Sequence, residues 1–351
     1  MAIALLFLAG LALYTYPLIR DLTCPFSPPG DYLLITYSLA WQWHALWHHP
    51  GSLFDANVMY PADNALAIAT PLNTSQLLFF GPALEITGDP IVAINAVHLG
   101  NILASALSAY WVLRRYAASR SAALVGAWIF AFSLGKLHQN FQFPFFWLVW
   151  SFHFWHQFLL RLDWRWLAAA VLSFVLLSLG SFYLMYMALF GLTTWTLGFH
   201  WRVRSLLDRR FLVRAALGGA VATVLLLPFG WPYFGVSRTY GLKRPLGEVI
   251  QYSADPIASY LLPNNRSVLY ASLDWSAGLG PLPGEESLFG VAAGLVGRMA
   301  GPSVLGDRYG DGLSYRDFQS IWVSGEGERR LFPGYSVVLL AVLSLFSKAP
   351  T

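Results

Sequence analysis

Residues 166–199 read WLAAAVLSFVLLSLGSFYLMYMALFGLTTWTLGF, 34 residues without one charged side chain. How this stretch divides decides the fold. As one α-helix rising about 1.5 Å per residue it would be roughly 50 Å long, far beyond the roughly 30 Å of a bilayer's hydrocarbon core. Gly180 and Ser181 lie at its middle and offer a turn. The stretch is therefore expected to form two membrane helices joined in a tight hairpin.

The arginines on either side lead to the same division. Arg114, Arg115 and Arg120 form one cluster, Arg161 and Arg165 a second, and Arg202, Arg204, Arg209, Arg210 and Arg214 a third. The apolar segments that alternate with them are 1–18, 90–113, 121–134, 144–160, 166–180, 182–199, 212–228 and 332–347. With a hairpin at 180–181 all three clusters share one side of the membrane; without it the third moves to the other side. Basic loops stay cytoplasmic. The expectation is an all-helical polytopic membrane protein with about eight spans and the N-terminus inside. The first segment has no basic residue ahead of it and no A-x-A-like cleavage site before Pro17, so it reads as a retained span rather than a signal peptide.

Composition agrees. Of 351 residues 56% are hydrophobic, 16% aromatic and only 11% charged, and the mean hydropathy is +0.52. Soluble domains run near a quarter charged, so an ordinary cytosolic enzyme and a disordered chain are excluded. The 15 Trp and 17 Tyr suit a protein with two membrane–water interfaces to line. Cys24 is the one cysteine, which rules out an internal disulfide. No G-x-x-x-x-G-K-[ST] motif occurs, the basic loops are too short for a nucleotide-binding domain, and no nucleic-acid partner is expected.

Three regions then face outward: 19–89, 135–143 and 229–331. The chain organises as a membrane core over 1–228 that includes the first outer loop, an extracytoplasmic region over 229–331, and a last span within 332–351. In the first loop Pro28-Pro29-Gly30-Asp31 introduces a helix for which Asp31 is a cap candidate. Ile35, Leu39, Trp43, Leu46 and Trp47 fall on one face, with Thr36, Gln42, His44 and His48 elsewhere, as in an amphipathic helix lying in the interface plane. A second apolar helix is expected over 71–87.

Several segments in this order resemble the GT-C glycosyltransferases, and more narrowly a bacterial group of large GT-C-like membrane proteins of mostly unassigned substrate. They are Pro29-Gly30-Asp31-Tyr32-Leu33-Leu34, Trp41 to His44 with Ala45-Leu46, Leu53-Phe54-Asp55-Ala56-Asn57, Tyr60-Pro61, Thr87-Gly88-Asp89-Pro90, Tyr252-Ser253-Ala254-Asp255 and Leu331-Phe332-Pro333-Gly334. The resemblance thins after about residue 275. It implies sugar transfer from a polyprenyl-phosphate donor at the outer membrane face, with a first-loop aspartate as base or acceptor-positioning group. By position that residue is Asp31, with Asp55 second. A carboxylate suits the task, because the acceptor must lose a proton as the anomeric bond breaks. The plainer readings are a helix cap for Asp31 and an Asx-turn for Asp55. Metal-dependent members of the class carry an acidic pair in the second outer loop. Here that loop holds Lys136 and His138 and no acid, so no metal cofactor is expected.

Lys136 and His138 read either as contacts to a donor phosphate or as interfacial anchors. Arg238, Lys243 and Arg244 form an outward basic group suited to a lipid phosphate or pyrophosphate, or to bulk anionic lipid. His98, His153 and His156, inside apolar segments, read as interhelical hydrogen-bonding groups. Asp307 and Asp311 lack the D-x-D-x-D-G spacing of a calcium loop. Asn73-Thr74-Ser75 and Asn265-Arg266-Ser267 match the N-glycosylation pattern. Two rival functions are a transporter or flippase for a lipid-linked substrate and a non-catalytic GT-C-like protein. The first requires polar residues along a path through the core and inverted repeats, and the sequence displays neither clearly. Because the group usually continues with more spans, the chain is also expected to be a truncated product.

Overall fold

In a computed structural model of the protein, residues 2–25, 31–69, 72–117, 119–133, 141–203 and 208–241 are described. The chain divides into two compact units, one of residues 1–132 and 139–243, the other of 133–138 and 244–351. The description below is of the first unit. Lys136, His138, Lys243 and Arg244, the segment 332–347, Asn265 and all acids beyond residue 241 lie outside the described residues.

Helices account for about 81% of the described residues, and none of these lies in a strand. In order they are α1 (Ala2–Tyr14), α2 (Asp31–His48), α3 (Ala65–Ala69), α4 (Leu77–Thr87), α5 (Pro90–Leu113), α6 (Arg120–Ala131), α7 (Phe145–Arg161), α8 (Trp164–Gly180), α9 (Phe182–Val203) and α10 (Arg209–Tyr240). Three stretches are long and apolar enough to cross a membrane: Pro90–Leu113, Phe182–His200 and Arg209–Tyr240. α9 leaves Tyr186, Met187 and Phe190 exposed, and α10 leaves Val221, Val224 and Leu227 exposed. An apolar surface of that extent marks contact with lipid or a partner.

The 166–199 stretch breaks where the glycine and serine stand. α8 ends at Gly180, Ser181 is extended with φ −170° and ψ 122°, and α9 begins at Phe182. The two helices then run antiparallel, as contacts with α7 show. Trp166, near the start of α8, faces His153 and Phe154. Near the end of α9, Trp195 and Thr196 take up the neighbouring His156 and Trp155 of the same α7 turn. At the other end Gly180 makes the turn tight: a Cβ there would lie 2.3 Å from Pro144 Cγ and 2.5 Å from Ser75 Oγ.

The hairpin brings Arg115, Arg161 and Arg214 to one end of the bundle. Arg115 sits over the Trp111 ring at 3.2 Å, Arg161 near the Trp166 ring at 5.3 Å, and Arg214 near the Trp164 ring at 5.1 Å. α6, α8 and α10 all start at this end, and each start is capped. Ser119 Oγ accepts from the Ala122 N–H, an Asp163 carboxylate oxygen from Arg165, and one of Asp208 from Arg210. Such caps satisfy backbone donors that the first turn leaves open.

α10 is longer than the 212–228 expected from hydropathy. It continues through Pro228 and Pro232 to Tyr240. Its first part packs along α8, where Gly218 meets Leu167 and Val171. Its last turns overshoot α8 and lean on the first loop, burying Val236 with Phe54, Ala56, Leu66 and Leu72. That second packing surface holds the helix together past two residues that break its hydrogen-bond ladder.

Two outcomes are expected. In a Cys24→Ser background, single cysteines at positions 121 and 165 should share one labelling state toward an impermeant thiol reagent in intact cells, and one at 63 the opposite state; differing states at 121 and 165 would break the arginine-end assignment. Gly180→Ala should lower thermal stability by about 1–3 kcal/mol through overpacking, whereas Gly198→Ala, with open space around it, should gain about 0.5–1 kcal/mol from helix propensity. Equal melting temperatures for the two variants would contradict the close approach at Gly180.

Candidate functional site

The first loop forms a folded cap at the end opposite the arginines. α2 and α4 pack through Trp43, whose indole lies where a Cβ on Gly81 would be, 2.3 Å away, and whose Nε1–H donates to Glu85 at 2.7 Å. The Thr87-Gly88-Asp89-Pro90 segment is the α4–α5 joint. Gly88 takes φ +68° and closes α4, an Asp89 oxygen accepts from the Ile91 N–H at 2.7 Å, and Pro90 fills the first helical position. A glycine, a capping acid and a proline in that order meet three separate backbone needs.

Asp31 is the first residue of α2, so it lies inside the helix rather than before it as the cap. It is exposed, and among the described residues its carboxylate has no hydrogen-bond partner. The residue that follows is fixed firmly. Tyr32 is 1% exposed, its hydroxyl donates to Asn95 Oδ1 at 2.9 Å, and its ring meets Phe141 edge-on. Asn95 in turn holds the carbonyls of Leu22 and Cys24 at 2.8 and 2.9 Å. The chain entering the loop and the start of α2 are thereby tied to α5. Beside them Asp21 is held below the usual carboxylate range, first by the Thr23 hydroxyl, then by the Thr23 N–H and Cys24, and the Cys24 thiol is raised by Asp21.

Asp55 is engaged differently. Its carboxylate accepts from the Asn64 N–H at 2.8 Å while Leu66 N–H donates to the Phe54 carbonyl at 3.0 Å. Those bonds close residues 55–64 into a loop, a longer bridge than the expected Asx-turn. Asn57 Oδ1 accepts from the Tyr37 hydroxyl, and Trp41 Nε1 donates to the Ser52 carbonyl, so this loop lies along the middle of α2. From Asp31 to Tyr37–Trp41 is about 9–15 Å of helix. The two aspartates therefore belong to different parts of the cap. Arg238, exposed in the last turn of α10, stands two residues from Val236, which is buried beside Phe54 and Ala56. Asp31, Asp55 and Arg238 thus share the cap end, and the other four candidates lie outside the described residues. Among the described residues no three His, Cys, Asp or Glu side chains come together as metal ligands would.

The expected buried face of α2 needs correction. The face of α2 that is buried carries Tyr32, Ile35, Thr36, Ser38, Leu39, Gln42 and Ala45, whereas Leu46 and Trp47 are exposed. The reason is a polar floor. Gln42 Nε2 donates to Ser38 Oγ at 2.9 Å and Thr74 Oγ1 donates to Gln42 Oε1 at 2.6 Å. Gln76 bonds the Gln142 carbonyl at 2.7 Å and accepts from Asn101 at 3.0 Å. The core also holds a polar stripe that hydropathy conceals: Asn95, His98, Asn101, Ser105 and Ser108 on α5 are all buried. Their spacing of three and four residues was the legible signal. His153 and His156 do bond between helices, to Tyr116 at 2.9 Å and to Trp195 at 3.3 Å. Asn73 is 1% exposed, so the folded protein offers no acceptor there for a glycan.

Comparison of the chain with protein-family models, with characterised proteins and with solved structures yields no match. Asp55→Ala should free the 55–64 loop, raising its rate of limited proteolysis and costing about 0.5–1.5 kcal/mol for the lost bond. Asp55→Asn keeps an acceptor oxygen and should be cut at nearly the wild-type rate; a loop as labile in the Asn variant as in the Ala variant would show that charge, not the bond, holds it.

Proposed function

We propose that the protein is a GT-C-type glycosyltransferase. It moves a sugar from a polyprenyl-phosphate carrier to an acceptor at the outer face of a bacterial cytoplasmic membrane, through a core of about eight spans. The arginine end is the cytoplasmic end in this reading, and the folded first loop is the extracytoplasmic cap. One observation carries the proposal: an exposed aspartate, its carboxylate unengaged among the described residues, opens a helix whose next residue is anchored in the core. A base needs both features, a free carboxylate and a fixed backbone. The segments that carry the resemblance also have distinct structural duties in this cap, from the Asp55 loop to the Thr87–Pro90 joint.

In this reading Asp31 takes the acceptor's proton as the anomeric carbon–oxygen bond to the carrier phosphate breaks. The phosphate leaves as an anion, so no separate acid is needed to protonate it. Arg238 stands at the same end as a cation for that phosphate, with Lys136, His138, Lys243 and Arg244 as the further basic candidates. Asp55 orders the loop. No metal is assigned a role.

The test separates base from helix-end stabiliser. At the first helical position the Asp charge is worth at most about 1 kcal/mol, and Asn matches its shape but cannot accept the proton. Asp31→Asn should leave expression and melting temperature near wild type while transfer from a polyprenyl-phosphate sugar falls by about 100- to 10,000-fold. Transfer by Asp31→Asn at the wild-type rate would remove Asp31 as base.

A further inference from the structure

The polar stripe on α5 has a spacing that packing alone does not require. Asn95, His98, Asn101, Ser105 and Ser108 follow one another at intervals of three or four residues, and each is at most 8% exposed. One such interval is about 4.5–6 Å of helix. Two hydrogen bonds in series through one oxygen span about 5.6 Å. A single water bridging two such groups would span that interval.

Two atoms along the seam call for such waters. Ser105 Oγ and His153 Nε2 are buried without a hydrogen-bond partner among the described residues. Buried polar atoms are otherwise paired almost without exception, and ordered water is the usual partner when protein is not. Ser105 stands midway along the stripe. Below it Ser108 accepts from Trp150 Nε1 at 2.9 Å, and the Trp150 ring faces that of His153. The other nitrogen of His153, Nδ1, shares a 2.9 Å hydrogen bond with the Tyr116 hydroxyl, which also accepts from Gln157 Nε2 at 3.0 Å. Tyr116 is 49% exposed at the arginine end. At the cap end Asn95 bonds the carbonyls of Leu22 and Cys24, and Asp21 beside them is exposed. From Asn95 to Leu113, where α5 ends, is about 27 Å of helix, close to the thickness of the hydrocarbon core. The charged and titratable groups around His153 are Arg115, Tyr116 and His156, with Arg161 beyond them on the Trp166 ring.

We propose that this seam is a proton path between the two membrane faces, with waters relaying between the α5 side chains and His153 as the last imidazole that protons must cross before Tyr116. With His153 carrying its proton on Nδ1, a proton arriving on the water at Nε2 forms a new N–H bond there. The Nδ1–H bond breaks and its proton passes to the Tyr116 oxygen, whose own proton leaves to water at the arginine end. One positive charge crosses, nothing is oxidised or reduced, and a flip of the ring restores the starting tautomer. The proposal does not depend on glycosyl transfer. Interhelical hydrogen bonding without transport is the competing account of the same residues.

The experiment uses the full chain in phosphatidylcholine–phosphatidylglycerol liposomes loaded with potassium and a pH-sensitive dye. Valinomycin then sets an inside-negative potential. The lumen should acidify several times faster than in protein-free liposomes. His153→Gln keeps a donor to the Tyr116 oxygen but has no second ring nitrogen, and should return the rate to the protein-free value; Ser105→Ala should reduce it in part. Acidification no faster than in protein-free liposomes, or His153→Gln as fast as wild type, would overturn the proposal. Should His153→Gln fail to fold, Tyr116→Phe decides: loss of flux supports the path and an unchanged flux overturns it.

Discussion

The close approach at Gly180 is the constraint on which the bundle rests. The end of α8, the start of α7 at Pro144 and the turn carrying Ser75 meet at a point with no room for a Cβ. Because the chain reverses there, the starts of α8 and α10 and the ends of α5, α7 and α9 come to one end. That end collects the arginines, which settle over Trp111, Trp164 and Trp166. Guanidinium groups on indole faces suit a boundary between water and apolar surroundings, since each ring offers an apolar body with a polarisable face. The opposite end is freed for the folded first loop.

The interior between these ends is more polar than the composition suggests. α5 is apolar enough to cross a membrane, yet the face it turns inward carries amides, hydroxyls and an imidazole. α2 and the turn before α4 present further amides to the same region. In a protein whose outer surface meets lipid, the inside is where polar side chains find partners. Large apolar side chains such as Phe190, Val224 and Leu227 thus lie outside, while Asn101 and Gln42 lie within a core that remains mostly apolar.

That arrangement explains what was legible in the sequence. The hairpin was readable because helix length against membrane thickness leaves a 34-residue apolar run no other course, and Gly180-Ser181 marked the break. The α4–α5 joint was readable from Thr87-Gly88-Asp89-Pro90, where local backbone needs fix the residue types. The buried face of α2 was misread, because Leu46 and Trp47 were weighed by hydrophobicity while Gln42 and Thr36 had partners elsewhere in the fold that no local pattern shows. The length of α10 was misread because Pro228 and Pro232 look like an end; only packing of Val236 on the first loop carries the helix past them. Of the candidate site, the exposure of Asp31 and the loop-closing bond of Asp55 are tertiary facts, out of reach of a motif.

The account turns on the reversal at Gly180-Ser181, and one distance tests it. Spin labels at Arg165 and Leu197, both exposed positions, sit near the start of α8 and the end of α9. Antiparallel neighbours with axes about 8–10 Å apart place the labels within roughly 20 Å of each other. One continuous helix through the same residues would set them about 48 Å apart. A pulsed electron–electron distance in the short range, in lipid, is the predicted result; a distribution centred near the long value would contradict the fold described above.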